Sequence, residues 1–260
     1  MKICTYNVNS IRSRKDLILQ WLDHRGHDLD VLCFQEIKTV EETFPFEDFK
    51  NLGYQCFVFG QKTYNGVAIC SQQSLKEVRS GLEIPSWDEQ ARVQTASFPS
   101  FHLINIYAPH GGLEGDAKHE YKQDWYNTLI SFLNERFSPE DALILAGDFN
   151  VARTDKDLYA PDLLEGTIGT LPEEREIFEK LLKWGLVDVF RHLHPEAKQF
   201  TWWDYIGGAI WRDQGMRIDY VLASSSILPH IREIEVDIWP RRRRDPKPSD
   251  HAPVIFSLDV

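Results

Sequence analysis

At 260 residues the chain is long for one ordinary domain, yet its 42% hydrophobic and 12% aromatic content can fill the core of a single large one. No apolar run approaches the ~20 residues that a membrane-spanning helix needs, which argues against insertion in a bilayer. The formal net charge of -11 excludes indiscriminate nucleic-acid binding, although an acidic protein can still set a basic rim around an acidic, cation-binding pocket.

The chain begins Met1-Lys2-Ile3-Cys4-Thr5-Tyr6-Asn7, alternating strand-like sequence without the basic and apolar regions of a signal peptide, so a cytosolic protein is expected. A strand is predicted over 2–8, then a helix over 14–25 with Leu17, Ile18, Trp21 and Leu22 on one face. Short apolar segments bounded by turn formers predict strands at 31–35, 55–60, 67–71, 93–98 and 101–107. Helical periodicity returns over 118–137, followed by a strand at 142–147 and a helix over 172–184, where Pro172-Glu173-Glu174 makes a suitable acidic first turn. Strands at 200–203, 218–223, 231–238 and 254–258 complete the series.

Strands outnumber helices, and the helices come at long intervals instead of alternating regularly. That order predicts two sheets packed face to face with helices outside, a four-layer αββα sandwich of class α/β (α+β). No linker-like or low-complexity tract divides the chain, so one domain over 1–260 is expected. Cys4, Cys33, Cys56 and Cys70 sit singly in apolar stretches without a C-x-x-C pair and read as reduced core residues.

Polar residues gather at the ends of six predicted strands. They are Asn7-Val8-Asn9-Ser10, Gln35-Glu36-Ile37-Lys38, Asn105-Ile106-Tyr107-Ala108-Pro109, Gly147-Asp148-Phe149-Asn150, Arg217-Ile218-Asp219-Tyr220 and Ser249-Asp250-His251-Ala252-Pro253. A sheet fixes such groups while the following loop opens them to substrate. Glu36, Asp148, Asp219 and Asp250, if brought together, would repel unless a cation neutralised them or a proton were shared. Oxygen-rich clusters suit Mg²⁺ or Mn²⁺, and the set lacks the histidines that zinc favours.

These segments, T-Y-N-V-N-S-I-R, Q-E-I-K, G-D-F-N, R-I-D-Y-V-L and S-D-H-A-P, resemble in order and spacing the exonuclease III / abasic endonuclease family of the endonuclease, exonuclease and phosphatase superfamily. The stretches Pro172 to Arg175, Trp184 to Arg191 and Phe200 to Tyr205 are similar to its DNA-repair branch. The resemblance implies a DNase I-like fold with two packed mixed sheets flanked by helices. It also implies a monomeric, Mg²⁺-dependent hydrolase that incises double-stranded DNA 5′ to abasic sites and acts on 3′ ends, including blocked ones, with Mn²⁺ as a substitute ion.

Carried over to this sequence, the resemblance makes Glu36 the principal metal ligand, helped by Asn7 and Asp250. Asp148 would activate the attacking water and Asn150 position it. His251, paired with Asp219, would contact the scissile phosphate together with Tyr107. A second ion, if one binds, would take Asp148, Asn150 and His251. Trp202, Met216 and Ile218 would line a pocket for a flipped-out abasic sugar, although some relatives carry Trp in place of Met216. Gly169 is compatible with an open pocket.

Arg12, Lys38, Tyr64, Asn65 and Arg217 are candidate phosphate or sugar contacts, and His110 and Leu113 belong to a loop that would probe the duplex near the lesion. The run Arg241-Arg242-Arg243-Arg244 reads as a solvated edge, with DNA contact as the alternative. Trp87, Trp125, Trp184, Trp211 and Trp239 read as core or helix-packing residues. Two other readings stay open: a phosphatase or phosphodiesterase for inositol or lipid substrates, and a non-catalytic DNA- or protein-binding relative.

Overall fold

The computed structural model describes residues 1–259. The chain begins with β1 (Lys2–Asn7), α1 (Ile11–His24), β2 (Val31–Gln35), α2 (Phe46–Lys50), β3 (Gln55–Phe59) and β4 (Val67–Ser71). It continues with β5 (Glu77–Ser80), α3 (Pro85–Asp88), β6 (Val93–Ser97), β7 (His102–Tyr107), α4 (Ala117–Arg136) and β8 (Leu143–Asp148). Next are α5 (Pro161–Leu164), α6 (Pro172–Lys183), β9 (Leu186–Asp188), α7 (Val189–Leu193), β10 (Trp202–Trp203) and β11 (Gly215–Met216). The last strands are β12 (Asp219–Ser224), β13 (Ile231–Val236) and β14 (Val254–Leu258).

Two six-stranded sheets result, ordered β13-β14-β1-β2-β4-β3 and β5-β6-β7-β8-β12-β9, beside a small β10-β11 ribbon. Each large sheet is mixed, with one parallel pair at its centre, β1 with β2 and β7 with β8. Parallel neighbours cannot be joined by a hairpin, and α1 and α4 supply the two crossovers.

Alternate residues of the strands meet between the sheets. Ile3, Val31, Cys33 and Ile69 pack there with Leu103, Ile144, Ala146 and Val221. The outer faces are apolar too. Tyr6, Leu32 and Phe34 lie beneath Ile18, Trp21 and Leu22 of α1, and Ile104, Ile106 and Leu145 pack with Trp125 and Leu129 of α4 and Phe178 and Leu181 of α6. Strands covered on both faces read as nearly continuous apolar runs, which is why they stand out in the sequence. The four-layer sandwich is therefore the observed architecture, and among the described residues no helix is long and apolar enough to cross a membrane.

Three strands escape sequence reading: the polar β5 edge strand and the very short β9 and β11. The strand predicted over 200–203 shortens to Trp202–Trp203. Helices α2, α3, α5 and α7 are too short to show a period. Helix α1 starts at Ile11, three residues before the predicted start at 14, because the Ser10 side chain accepts from Ser13 N.

Two expectations are corrected. Cys4 and Cys33 are free and buried, but Cys56 and Cys70 form a disulfide. They are register partners in the β3–β4 ladder, with Cα atoms 3.9 Å apart, a juxtaposition that fourteen residues of separation do not announce. Trp211 is 57% exposed rather than packed.

Candidate active site

The central strands of both sheets end at one place. Register pairs Asn7 with Gln35 in the first sheet, and Asp148 with both Tyr107 and Asp219 in the second. The 249–251 loop docks against this row, with Ser249 Oγ donating to Asn7 O at 2.7 Å. Asn9, Glu36, Lys38, Asn65 and Asn150 all have positive φ, so the chain turns sharply as it leaves the sheets. Asn tolerates that conformation, whereas a Glu or Lys holds it only under constraint from its surroundings.

Asn7 joins the two sheets at the rim: its Nδ2 donates to Glu36 Oε1 and to Asp148 Oδ2, each at 2.9 Å. Asp148 Oδ1 accepts from Asn150 N at 2.9 Å, and Asn150 Nδ2 donates to Ala108 O at 2.9 Å. His251 Nδ1 lies 2.9 and 3.2 Å from the two Asp219 oxygens, which leaves Nε2 directed at Asp148 Oδ2, 3.8 Å away. Glu36, Asp148 and His251 thereby offer ligand atoms within 4.8 Å of one another. Asp250 stands beside this group, with Oδ1 accepting from Asn9 Nδ2 at 2.8 Å and Oδ2 from Trp202 Nε1 at 3.1 Å.

Burial disfavours charge on every one of these side chains, so their neighbours decide their ionisation. Burial works against the His251 imidazolium, but Asp219 and Asp148 outweigh it and raise its pKa to about 10. Burial also drives Asp148 up, to about 7, against the pull of His251. Glu36 stays below the usual carboxylate range because Lys38, 2.8 Å away, overcomes its burial. Asp250 is likewise lowered, by His251, Asn9 and Trp202 against burial. Tyr107 is raised well above its ordinary value by burial and by Glu36 and Asp148, so it is a hydroxyl donor. The half-buried Glu36 and the buried Asp148 facing an imidazole, with amide groups between them, fit a hard divalent cation, which would relieve the unfavourable burial of Asp148.

Beside this polar row lies an apolar wall. Met216 pairs with Trp202 across the β10–β11 ribbon and bridges to Leu158, while Trp202 bridges to His251. Ala152, Leu158, Met216 and Ile218 form one cluster, joined by Leu164 and Trp202. Gly169 has φ +87°, and a Cβ there would meet Asn150 O at 3.3 Å and Met216 Cε at 3.6 Å, so the absence of a side chain keeps this corner open.

The proposed DNA contacts divide. Arg12, Tyr64, His110 and Leu113 are exposed, and Lys38 is half-buried against Asn9. Asn65 is buried and donates to Gln61 and Gln90. Arg217 is a correction: it is 1% exposed, with Nε on Asp157 Oδ1 at 2.8 Å and Nη2 on Asp188 Oδ2 at 2.7 Å. A guanidinium sealed between two carboxylates cannot reach a duplex, and its neighbours Met216 and Ile218 carry the wall instead. Arg241 is also buried rather than solvated, donating to Asp250 O and Trp203 O, while Arg242, Arg243 and Arg244 are exposed.

Sequence reading missed Asn9, which holds Asp250, and Arg92. The Arg92 guanidinium lies over the Tyr107 ring, 4.9 Å from its centroid, and donates to Tyr107 O at 3.2 Å. It lines a cavity of about 550 Å³ with Tyr64, Asn65, His110 and Lys118. Sequence reading also missed the buried pair Lys122 and Glu174. Their signal was present: each is a charge on the apolar face of its helix, Lys122 with Trp125 and Tyr126, Glu174 with Ile177 and Phe178.

Residues 4–251 match the Endonuclease/Exonuclease/phosphatase family. The chain is 34% identical over 266 residues to exodeoxyribonuclease III of Haemophilus influenzae, covering 98% of both proteins. The solved AP endonuclease of Archaeoglobus fulgidus superposes with a TM-score of 0.94 at 36% identity, covering 100% of both chains. A 3′ phosphatase from Neisseria, bound to a product DNA hairpin, superposes at 0.93 and 36% over the same full coverage. With its full-length match in sequence and structure, the chain belongs to the endonuclease/exonuclease/phosphatase family, in its exonuclease III and AP endonuclease branch.

Proposed function

We propose that the chain is a Mg²⁺-dependent DNA repair hydrolase, working as a monomer in the cytosol on the nucleoid. It incises duplex DNA 5′ to abasic sites and removes nucleotides or blocking groups from 3′ ends. The observation that carries this reading is a juxtaposition: the Glu36, Asp148 and His251 cluster adjoins the apolar wall of Trp202, Met216 and Ile218, with Trp202 bridged to both His251 and Met216. An abasic nucleotide leaves the helix at less cost than a stacked one, and a narrow apolar recess accepts its sugar while refusing a base.

Asn7, Glu36 and Asp250 would hold the ion, with Asp148, Asn150 and His251 taking a second if one binds, and the metal supplies positive charge at the phosphate and a more acidic water. The protein's own groups carry the rest. Asp148, fixed by Asn7 and Asn150, accepts the proton of the attacking water, and Asn150 positions that water. His251, oriented and kept protonated by Asp219, donates from Nε2 to a non-bridging phosphate oxygen as charge develops there. Tyr107 directs its hydroxyl at the same phosphoryl group. Arg12, Lys38 and Tyr64 steady the flanking backbone without reading base sequence, and His110 and Leu113 probe the helix beside the lesion.

A gel assay with Mg²⁺ and with chelator tests the reading on abasic, intact, 3′-phosphate-ended and single-stranded DNA. Incision of the abasic duplex and trimming of blocked 3′ ends in Mg²⁺, abolished by chelator, is expected. No cleavage of any DNA, with phosphate released from inositol lipids instead, would overturn it in favour of another branch of the family.

A further inference from the structure

Beneath the site lies an ion pair that none of the roles above uses. Lys122 of α4 and Glu174 of α6 are both fully buried, with Lys122 Nζ 2.5 Å from Glu174 Oε1. Two charges inside a core gain little net stability, because their attraction mainly offsets their lost hydration. Well-packed apolar side chains would serve a purely structural purpose as well.

The rest of their hydrogen bonds go to three separate loops. Lys122 Nζ donates to Asn150 O at 2.7 Å and to His110 O at 3.2 Å. Glu174 Oε2 accepts from Gly169 N at 2.6 Å and from Leu171 N at 3.1 Å. Gly111 lies directly against the pair: a Cβ there would come within 2.8 Å of Lys122 Cδ and 3.2 Å of Glu174 Oε1. The pair thus joins the loop bearing His110, the turn bearing Asn150 and the segment whose Gly169 faces Met216. The turn that carries Asn150 also meets the Gly169 segment two residues on, where Ala152 N donates to Gly169 O at 2.7 Å.

We propose that Lys122 and Glu174 are positioning residues: together they set where Asn150 stands relative to the lesion pocket and to the His110 loop. Neither touches substrate. Their action passes through peptide groups of residues that do, and errors near 1 Å in such placement lower turnover by roughly 10²-fold. The inference rests on the functional reading above, because it assumes that Asn150 and the Gly169 corner serve one reaction.

The test uses Lys122→Met, the double variant Lys122→Met with Glu174→Gln, and Leu181→Ala as a stability control, since Leu181 is a buried residue of α6 outside the pair. The double variant carries no charge at the pair, and its amide oxygen can still accept from Gly169 and Leu171. Thermal melts and steady-state cleavage of abasic duplex are measured at a temperature where each variant is folded. Hydrogen exchange is followed in the segments 108–112, 150–154 and 167–171.

The double variant leaves Asn150 O and His110 O without their donor and so is expected to melt below the wild type, and to show kcat lowered about 10²-fold with KM little changed, while Leu181→Ala melts at least as low and keeps its kcat. Exchange should quicken in all three segments of the double variant and not in the sheets. A double variant with wild-type kcat, or a fall in kcat that Leu181→Ala matches, would show a structural pair only. Should Lys122→Met fail to fold, the double variant decides alone. Should the wild type leave abasic DNA uncut, the functional reading fails, and unchanged exchange in the double variant would separately overturn the positioning role.

Discussion

Asn105 reaches across the sandwich to Gln35: Gln35 Nε2 donates to Asn105 Oδ1 at 2.7 Å, although the two residues belong to different sheets. Asn105 Nδ2 also donates to Phe34 O and Ala68 O at 3.0 and 3.1 Å. These bonds lie where every neighbour is buried, so a lost partner leaves desolvated groups behind. Asn105→Ala should therefore lower stability by roughly 2–4 kcal/mol, the cavity adding to the unpaired groups, as measured by urea unfolding. A loss below about 0.5 kcal/mol would mean that the bridge contributes little.

His251 and Asp219 give a prediction with a definite sign. Burial opposes the imidazolium, but Asp219 and Asp148 hold the pKa at about 10 against an ordinary 6.5. The stabilisation from this charge is complete below 6.5 and disappears as pH rises through about 10. Asp219→Asn removes the principal partner, so His251 should titrate at lower pH in chelator-treated protein, followed by NMR of the ring. Turnover should fall roughly 10²–10⁴-fold. A His251 titration unmoved by the substitution would refute the assignment.

Glu36→Gln and Asp148→Asn each preserve shape while removing a negative charge from the cluster. Each should lower kcat on abasic DNA by roughly 10²-fold or more and weaken activation by Mg²⁺ for Glu36→Gln in particular. Circular dichroism should show both folded. Wild-type rates in both variants would remove these residues from the mechanism.

Arg217 should behave as a structural residue. Buried between Asp157 and Asp188, it leaves unpaired carboxylates when shortened, so Arg217→Met should cost about 3–5 kcal/mol. Asp157 is held below its ordinary 3.8 because Arg217 and Arg191 outweigh its burial. Its stabilisation is present above 3.8 and is lost as pH falls through the lowered value, so Asp157→Asn should flatten the acid side of the stability profile. The salt dependence of DNA binding by folded Arg217→Met should match the wild type, since no phosphate contact is lost.

Most of the architecture was legible because strands buried on both faces write long apolar runs, and α1 and α6 write apolar stripes. The strands that escaped had no such signature: β5 lies at a sheet edge and is largely polar, and β11 is two residues long. For the site, polar residues just after apolar runs were informative, since Asn7, Glu36, Tyr107, Asp148, Asp219 and His251 do converge. Arg217 misled because it sits within such a segment while β12 begins only at Asp219, so its side chain turns into the core. Lys122 and Glu174 are the opposite case, charges whose apolar helical faces mark them as buried and whose partners only the fold reveals.

Asn7 hangs from the first sheet and Asp148 from the second, and the hydrogen bond between them exists only when the two sheets have closed on each other. Neither half of the chain owns a complete set of reacting groups. Cutting power thus needs both sheets formed and packed together. A chain with either sheet unformed lacks the assembled cluster and is expected to cut nothing.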